Sequence, residues 1–502
     1  MTMSEKNFLS IKAIILSIDS MSVIKLNICL ILTSLGIALG LFYYGINLPL
    51  QFRMRGDAYT YLMIAQHFTS FSEALNYMGD RTLGFPLFDY LFVYLDSNRS
   101  SLSQINHICW TLFIMHELIS LWICFICVKC RLFKISSIYF GLLFLMLAAY
   151  PAIVMHATTP LTDVLGMDLL LIGFSIFAWA THTVNSDRVS FALIFLGLIS
   201  GFCLGYAILV RPAYWLGIVG FLTVYILMTG VNRLVFHLNG RRSMVMCIVT
   251  ILTLAAVLLP VIDHCKARYH TLCLQDPRTF NYLEHMKVGL GSARTPWNYA
   301  SSPSGVVPSY PDAFLVKHFH DRCPVTSVFG SLNSNNSNLL SCMYNAPHLA
   351  VVYFIKKVTG LFDTFRMTPY TELVTPTWYL WVARFFSSVA FVGFWILLWE
   401  GIKGIYQLAV YRKPVSILKA AVWSFCIIQV SVHSILHVEE RFALAWIPFC
   451  IIAFFLKIKA IQEKSYSSKL RWMWFIFGAL LMLGYFIQVS IWDYGMSHNI
   501  IL

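Results

Sequence analysis

The chain has 502 residues, of which 58% are hydrophobic and 12% charged, and its mean hydropathy is +0.71. Soluble domains carry about 25% charged residues, so composition excludes an ordinary globular protein and indicates an integral membrane protein. The 36 Lys and Arg against 23 Asp and Glu give a formal net charge of +13. Cation-rich cytoplasmic loops account for such an excess, and no nucleic-acid partner is needed to explain it.

Residues 1–25 alternate weakly between apolar and polar, interrupted by Lys6, Lys12 and Asp19. They read as an amphipathic segment on the cytoplasmic membrane surface rather than a cleaved signal. A bilayer core takes about 20 apolar residues per helix, and about eleven segments qualify, at 26–48, 105–128, 135–155, 164–180, 189–210, 213–228, 246–262, 378–399, 417–436, 443–456 and 472–491. The expected fold class is an all-α polytopic membrane protein with about 11 transmembrane helices, interfacial helices in the first external loop and a large external loop of mixed structure. Four regions follow: the N-terminal segment 1–25, a transmembrane core 26–263 that includes the first loop 49–104, a large loop 264–376, and a C-terminal transmembrane module 377–502.

Lys129, Arg131 and Lys134 follow the second span, and Arg233, Arg241 and Arg242 follow the sixth. Lys403, Arg412 and Lys413 follow the eighth, and Lys457, Lys459, Lys464, Lys469 and Arg471 follow the tenth. The short loops between these are poor in cations, which sets the N-terminus in the cytoplasm and both long loops on the opposite face. That face is the periplasm or cell exterior for a bacterial membrane, the favoured case, and the lumen for an endoplasmic-reticulum membrane. The large loop holds Cys265, Cys273, Cys323 and Cys342, which allow three disulfide pairings or free thiols.

The first loop concentrates charge where the chain leaves the bilayer: Arg53, Arg55, Asp57, Asp80 and Arg81. Ionisable groups are costly there, so such a concentration is a site by default. Residues 58–71 read as an amphipathic interfacial segment in which Tyr59 and Tyr61 suit the headgroup zone. A second short helix starts near Pro86. Asp57 reads as a general base for an acceptor arriving at the membrane surface, or as a helix cap. Asp163 opens the fourth span and has the same two readings. Arg211 ends the fifth span beside Pro212, where its planar fork either meets a phosphate or snorkels to the headgroups. His433, His437, Glu439, Glu440 and Arg441 lie between the ninth and tenth spans. His433 and His437 share a helix face, but their spacing matches no zinc motif, so a divalent metal is not supported.

Gly56-Asp57-Ala58-x-x-Tyr61-x-x-x-Ala65, followed by Arg81-x-x-Gly84-Phe85-Pro86-Leu87-Phe88, resembles the first-loop pattern of the GT-C glycosyltransferase superfamily. Thr162-Asp163, the run 205–212 and His437-x-Glu439-Glu440-Arg441-Phe442 are similar to its later landmarks. These enzymes include protein mannosyltransferases and aminoarabinose transferases that use polyprenyl-phosphate sugars. The resemblance implies transfer of a sugar from a polyprenyl-phosphate donor to a lipid, glycan or protein acceptor on the non-cytoplasmic face, with inversion and with no cofactor required. It implies Asp57 as the catalytic base, with Asp80 or Asp163 as a second acid. Arg211, Arg81 and Arg441 would bind the donor phosphate, and Tyr59, Tyr61, His437 and Glu440 would line the donor or acceptor pocket. Family members often carry an acidic pair in this loop, whereas Asp57 stands between Gly56 and Ala58.

Three other readings compete. An O-antigen-type polymerase or ligase would place essential arginines in its large loop, where Arg268, Arg278, Arg294 and Arg322 stand. A transporter or lipid flippase would carry ionisable residues deep within its spans, whereas the charges here are expected at span ends. A non-catalytic scaffold would tolerate neutralisation of the first-loop charges.

Overall fold

The computed structural model describes residues 3–54, 57–77, 79, 81–95, 101–135, 137–182, 190–237, 240–277, 347–364, 375–436, 440–463 and 468–497. Helices dominate, and no strand occurs among the described residues. In chain order they are α1 (Met3–Ile46), α2 (Asp57–His67), α3 (Phe71–Leu75), α4 (Gly84–Leu95), α5 (Ser101–Lys129), α6 (Ile138–Ala148), α7 (Pro151–His156) and α8 (Thr162–His182). Then follow α9 (Phe191–Val210), α10 (Trp215–Phe236), α11 (Arg241–Tyr269), α12 (Pro347–Phe362), α13 (Thr377–Tyr411), α14 (Ile417–Leu436), α15 (Ile447–Gln462) and α16 (Ser468–Ser497). Short 3-10 turns occur at Leu50–Phe52, Pro212–Tyr214 and Glu440–Ala445.

Ten of the described segments are long and apolar enough to cross a bilayer, so the protein is a multi-pass membrane protein. The segment expected at 443–456 is realised as a 3-10 turn followed by α15, a helix of 16 residues. At 1.5 Å per residue α15 is about 24 Å long, short of the roughly 30 Å hydrocarbon core. Residues 3–21 continue α1 without a break. α11 runs to Tyr269 and α13 to Tyr411, past the ends of their apolar runs.

α9 packs between α8 and α11. Gly197, Gly201 and Gly205 recur every four residues along one edge, and an added Cβ on Gly201 would lie 2.5 Å from the Thr250 carbonyl oxygen. On Gly205 it would lie 2.9 Å from Val257, and on Gly197 2.8 Å from Val249. Small residues at this spacing let membrane helices pack backbone to backbone, which holds α9 hard against α11.

The first long loop is docked against the end of α9. α4 has 12 residues, about 18 Å, too short to cross. Thr82 donates to the Val210 carbonyl at 3.3 Å and Tyr206 donates to the Gly84 carbonyl at 2.8 Å. A Cβ at Gly84 would collide with the backbone of Leu209 and Val210. Only glycine lets the start of α4 lie on the last turn of α9, immediately before Arg211.

Arg53 is not part of an exposed charged patch. It is buried, with Nε donating to the Thr158 carbonyl at 2.9 Å, Nη1 to the Ile46 carbonyl at 2.7 Å and Nη2 to Asn106 Oδ1 at 3.0 Å. One guanidinium thus ties the end of α1 and the start of α5 to the loop that leads into α8.

Cys265 and Cys273 are joined in a disulfide, one of the pairings the sequence left open, with Cα atoms 5.6 Å apart. Cys323 and Cys342 lie outside the described residues. Within the bounds of the large loop, α12 packs against α14 and against the turn Glu440–Ala445. Its Lys357 is buried and donates to the Ser434 carbonyl at 2.9 Å. That carbonyl belongs to the last turn of α14, where a helix's free acceptors and negative dipole end favour a cation.

Candidate active site

Five charged side chains from four separate parts of the chain meet at one end of the bundle. Asp57 is the first residue of α2, Arg81 precedes α4, Asp163 lies in the first turn of α8, Arg211 follows α9 and Arg441 sits in the turn before α15. The signs alternate in space. Arg81 Nη2 is 2.5 Å from Asp57 Oδ1, and Arg441 Nη2 is 3.8 Å from Asp57 Oδ2. On its other side Arg441 Nη1 is 3.9 Å from Asp163 Oδ2, and Arg211 contacts Asp163 directly. The order is therefore Arg81, Asp57, Arg441, Asp163, Arg211, with arginine at both ends and one guanidinium between the carboxylates.

Local sequence explains each placement. An aspartate in the first turn of a helix is stabilised by the free N–H groups and positive dipole end there. This suits Asp57 on α2 and Asp163 on α8. Pro212 fits the first position of its 3-10 turn and stops α9, and Arg211 before it takes an extended conformation, φ −143° and ψ 97°. That kink turns the arginine inward. Its Nη1 lies 3.4 Å from Thr162 Oγ1, and its Cζ is 4.5 Å from the centre of the Phe442 ring. Phe442 is backed by His433, whose ring lies 4.7 Å away and also stacks on Trp446 at 5.5 Å. The two arginines share this ring, since Arg441 Cζ is 5.5 Å from it.

Exposure is graded along the string. The side chains of Asp57 and Arg81 are 34% and 33% exposed, Arg441 15%, Arg211 10% and Asp163 0%. One end is a mouth and the other is packed into the protein.

Tyr61 packs beside this cluster. On an α-helix four positions bring a side chain back to within about 40° of the same face, whereas two positions turn it by about 200°. Tyr61 is buried, 5.2 Å from Phe85, and close enough to Asp57 and the three arginines to feel their charge. Burial, and after it the Asp57 carboxylate, pushes its hydroxyl up to about 12. It remains a neutral donor at any physiological pH. Tyr59, two positions from Asp57 and so on another face of α2, is 54% exposed.

Asp80 and His437 lie outside the described residues, as does the side chain of Glu440. Asp163, one of the two expected second acids, is linked to Asp57 through Arg441. No group of three or more His, Cys, Asp or Glu positioned to hold a metal occurs among the described residues.

Two features were missed by sequence reasoning. Phe442 stood in the motif that ends Arg441-Phe442, but its role as the shared platform of Arg211 and Arg441 was not legible there. The second is a buried cluster inside the bundle, where charges were expected only at span ends. His116 on α5 contacts Asp168 on α8 at 3.0 Å through Nδ1, and its Nε2 is 3.2 Å from the Leu147 carbonyl oxygen. Both ring nitrogens of His116 face acceptors. Buried Glu117 is its neighbour in sequence.

The fold and this site define a polytopic membrane protein with a cluster of three arginines and two aspartates at one end of its helices. No protein-family model matches the chain, and no curated protein matches it. Among solved structures it is similar to the apo oligosaccharyltransferase of Archaeoglobus fulgidus, over 92% of this chain with a TM-score of 0.49 and 12% identity. It is also similar to the oligosaccharyltransferase AglB of the same organism in complex with an inhibitory peptide and a dolichol-phosphate, over 93% with a TM-score of 0.48 and 12% identity. The chain spans about half, 55%, of the length of each. At that similarity the chemistry has to be read from the side chains of this chain alone.

Proposed function

We propose that the protein is a membrane glycosyltransferase that moves a sugar from a polyprenyl-phosphate donor to a hydroxyl or amine of a lipid, glycan or protein acceptor. The observation that carries this reading is the alternating string from Arg81 to Arg211. It sets a solvent-accessible carboxylate within one guanidinium's width of the buried Asp163–Arg211 pair. In the reaction Asp57 takes the proton of the acceptor O–H or N–H. The acceptor forms its bond to the anomeric carbon, and the bond from that carbon to the phosphate oxygen breaks. The electron pair leaves with the polyprenyl phosphate. Arg441 and Arg211 face the charge that grows on the departing oxygen, where preorganised donors are worth most. A single base with a phosphate leaving group needs no covalent intermediate, so the anomeric configuration inverts.

The same geometry supports a site that requires no metal. A divalent ion gathering Asp57 and Asp163 would take the place that the Arg441 guanidinium holds, 3.8 Å from one carboxylate and 3.9 Å from the other. The orientation expected from loop cations puts this pocket on the non-cytoplasmic face.

The test is direct. Protein reconstituted in vesicles is given polyprenyl-phosphate-linked hexoses and pentoses, labelled in the sugar, together with native membrane extract as acceptor. Release of polyprenyl phosphate coupled to appearance of labelled product, unaffected by EDTA, is the expected result. No turnover across the panel contradicts the reading.

A second reading has one observation in its favour. The cluster of His116, Glu117 and Asp168 is the kind of intramembrane ionisable group that proton-coupled transporters use. It predicts proton-driven lipid or solute uptake that is lost in His116→Gln while sugar transfer persists.

A further inference from the structure

Two buried polar residues of α14 stand outside the mechanism, yet both touch the parts of the chain that carry its arginines. Gln429 and His433 are four positions apart and so share one face of the helix. Gln429 is fully buried, and its Nε2 donates to the Ala213 carbonyl at 3.1 Å and to the Tyr214 carbonyl at 3.4 Å. These carbonyls belong to the turn Pro212–Tyr214, which ends α9 beside Arg211. Room for the amide comes from α10, which packs along α14: a Cβ at Gly217 would lie 2.4 Å from Gln429 Nε2 and 2.8 Å from the Phe425 ring. His433 is also buried, with its ring 4.7 Å from Phe442 and 5.5 Å from Trp446. Phe442 in turn carries Arg211 at 4.5 Å and Arg441 at 5.5 Å. The turn and the ring therefore both rest on one face of one helix. Polar side chains within a span are costly, and Gln429 directs its amide to the turn that follows Arg211.

Resting on the functional reading above, we infer that α14 is the frame that spaces Arg211 and Arg441, with Gln429 and His433 as its positioning residues. Gln429 fixes the turn and so the direction in which Arg211 leaves the backbone. His433 fixes the plane of the ring on which both guanidinium groups rest. A phosphate is drawn to two cations by an attraction that falls only as the inverse of distance, so a small displacement leaves donor binding nearly intact. The hydrogen bonds that meet the charge growing on the departing oxygen are short and directional. Misplacement by about 1 Å is felt there, at the step in which the bond to phosphate breaks. Loss of the frame therefore shows in the rate of release before it shows in binding.

The test separates these two quantities on protein in vesicles of zwitterionic lipid. Single-turnover release is followed with polyprenyl-phosphate hexoses and pentoses labelled in the sugar, and binding is measured with polyprenyl monophosphate. Gln429→Met keeps the length of the side chain and removes its N–H donors. It should slow release by about 10- to 100-fold and change the binding constant by less than about twofold. Gly217→Ala pushes the amide aside from α10 and should give the same split, which carries the test if Gln429→Met does not fold. His433→Leu should slow release by about three- to tenfold, and His433→Phe, which restores a flat ring, should recover most of that loss. Wild-type release in Gln429→Met and Gly217→Ala, even with a lowered unfolding temperature, overturns the inference and leaves the functional reading standing. So does binding that weakens by the same factor as release, or a loss in His433→Leu that phenylalanine does not recover. No release by wild type from any donor of the panel overturns the functional reading together with the frame.

Discussion

The site contains the same pair twice, an aspartate in the first turn of a helix held by an arginine, and the two copies live in different solvents. Asp163 and Arg211 are enclosed, with Asp163 fully buried and its arginine supported by a threonine and an aromatic ring. Asp57 and Arg81 are each about one-third exposed, with Arg81 on the segment that leads into α4. A buried charge that loses its partner is expensive, so the inner pair is suited to be permanent. An exposed pair contributes little to stability and can be given up during a reaction. On the proposed reading, the inner aspartate keeps the arginines in place and the outer one moves a proton.

The largest effect on folding should come from the inner pair. Asp163→Asn leaves the Arg211 guanidinium enclosed without its carboxylate, a loss of about 3–5 kcal/mol. Thermal unfolding in detergent should show it, while Asp57→Asn should leave the transition in place. Next comes the docking of the outer pair onto the inner one. Gly84→Ala forces a methyl into the backbone of Leu209 and Val210, which should cost about 1–3 kcal/mol and raise the donor KM as Arg81 retreats from the string. Phe442→Leu keeps the volume apolar but removes the ring beneath Arg211. It should cost about 0.5–2 kcal/mol, read in the same unfolding experiment.

A fourth prediction concerns pH and α4. Asp89 is fully buried, and neither carboxylate oxygen has a hydrogen-bond partner among the described residues. Burial pushes its pKa well above the usual carboxylate range. An acid whose folded pKa is raised stabilises the fold below its unfolded pKa and loses that contribution as pH rises toward the folded one. Asp89→Asn should therefore flatten the fall in stability above about pH 4 and leave a protein more stable than wild type near neutrality. A steeper fall in the variant would show that Asp89 has a cationic partner. The smallest effect belongs to Tyr59→Phe, whose exposed hydroxyl should change transfer rates by less than twofold, in contrast to Tyr61→Phe within the site.

Much of this was legible in the sequence. The spans were, because a run of about 20 apolar residues is a direct imprint of bilayer thickness. Their ends were less so. α11 and α13 continue beyond their apolar runs because hydropathy records where lipid stops, not where backbone hydrogen bonding stops. The charged members of the site stood out for the same reason, each breaking an apolar context at a span end. Their partnership was not legible: Asp57 meets an arginine 24 positions away at Arg81 and another at Arg441 near the far end of the chain. Arg53 shows the opposite failure. It shares the charged stretch with Asp57, yet it serves as an internal clamp on backbone carbonyls, and carbonyls carry no signature in a sequence. His116, Glu117 and Asp168 were passed over because each is surrounded by apolar residues that mark a span, and only the packing of α5 on α8 brings His116 to Asp168.

The central claim is that Asp57 takes the acceptor's proton while Asp163 holds the arginines. The measurement that meets it most directly is single-turnover release of polyprenyl phosphate from a sugar-loaded donor, in wild type and Asp57→Asn of matched thermal stability. Loss of the base should slow release by about 10²–10⁴-fold with donor binding retained. Release at the wild-type rate from a folded, donor-binding Asp57→Asn protein would contradict the account.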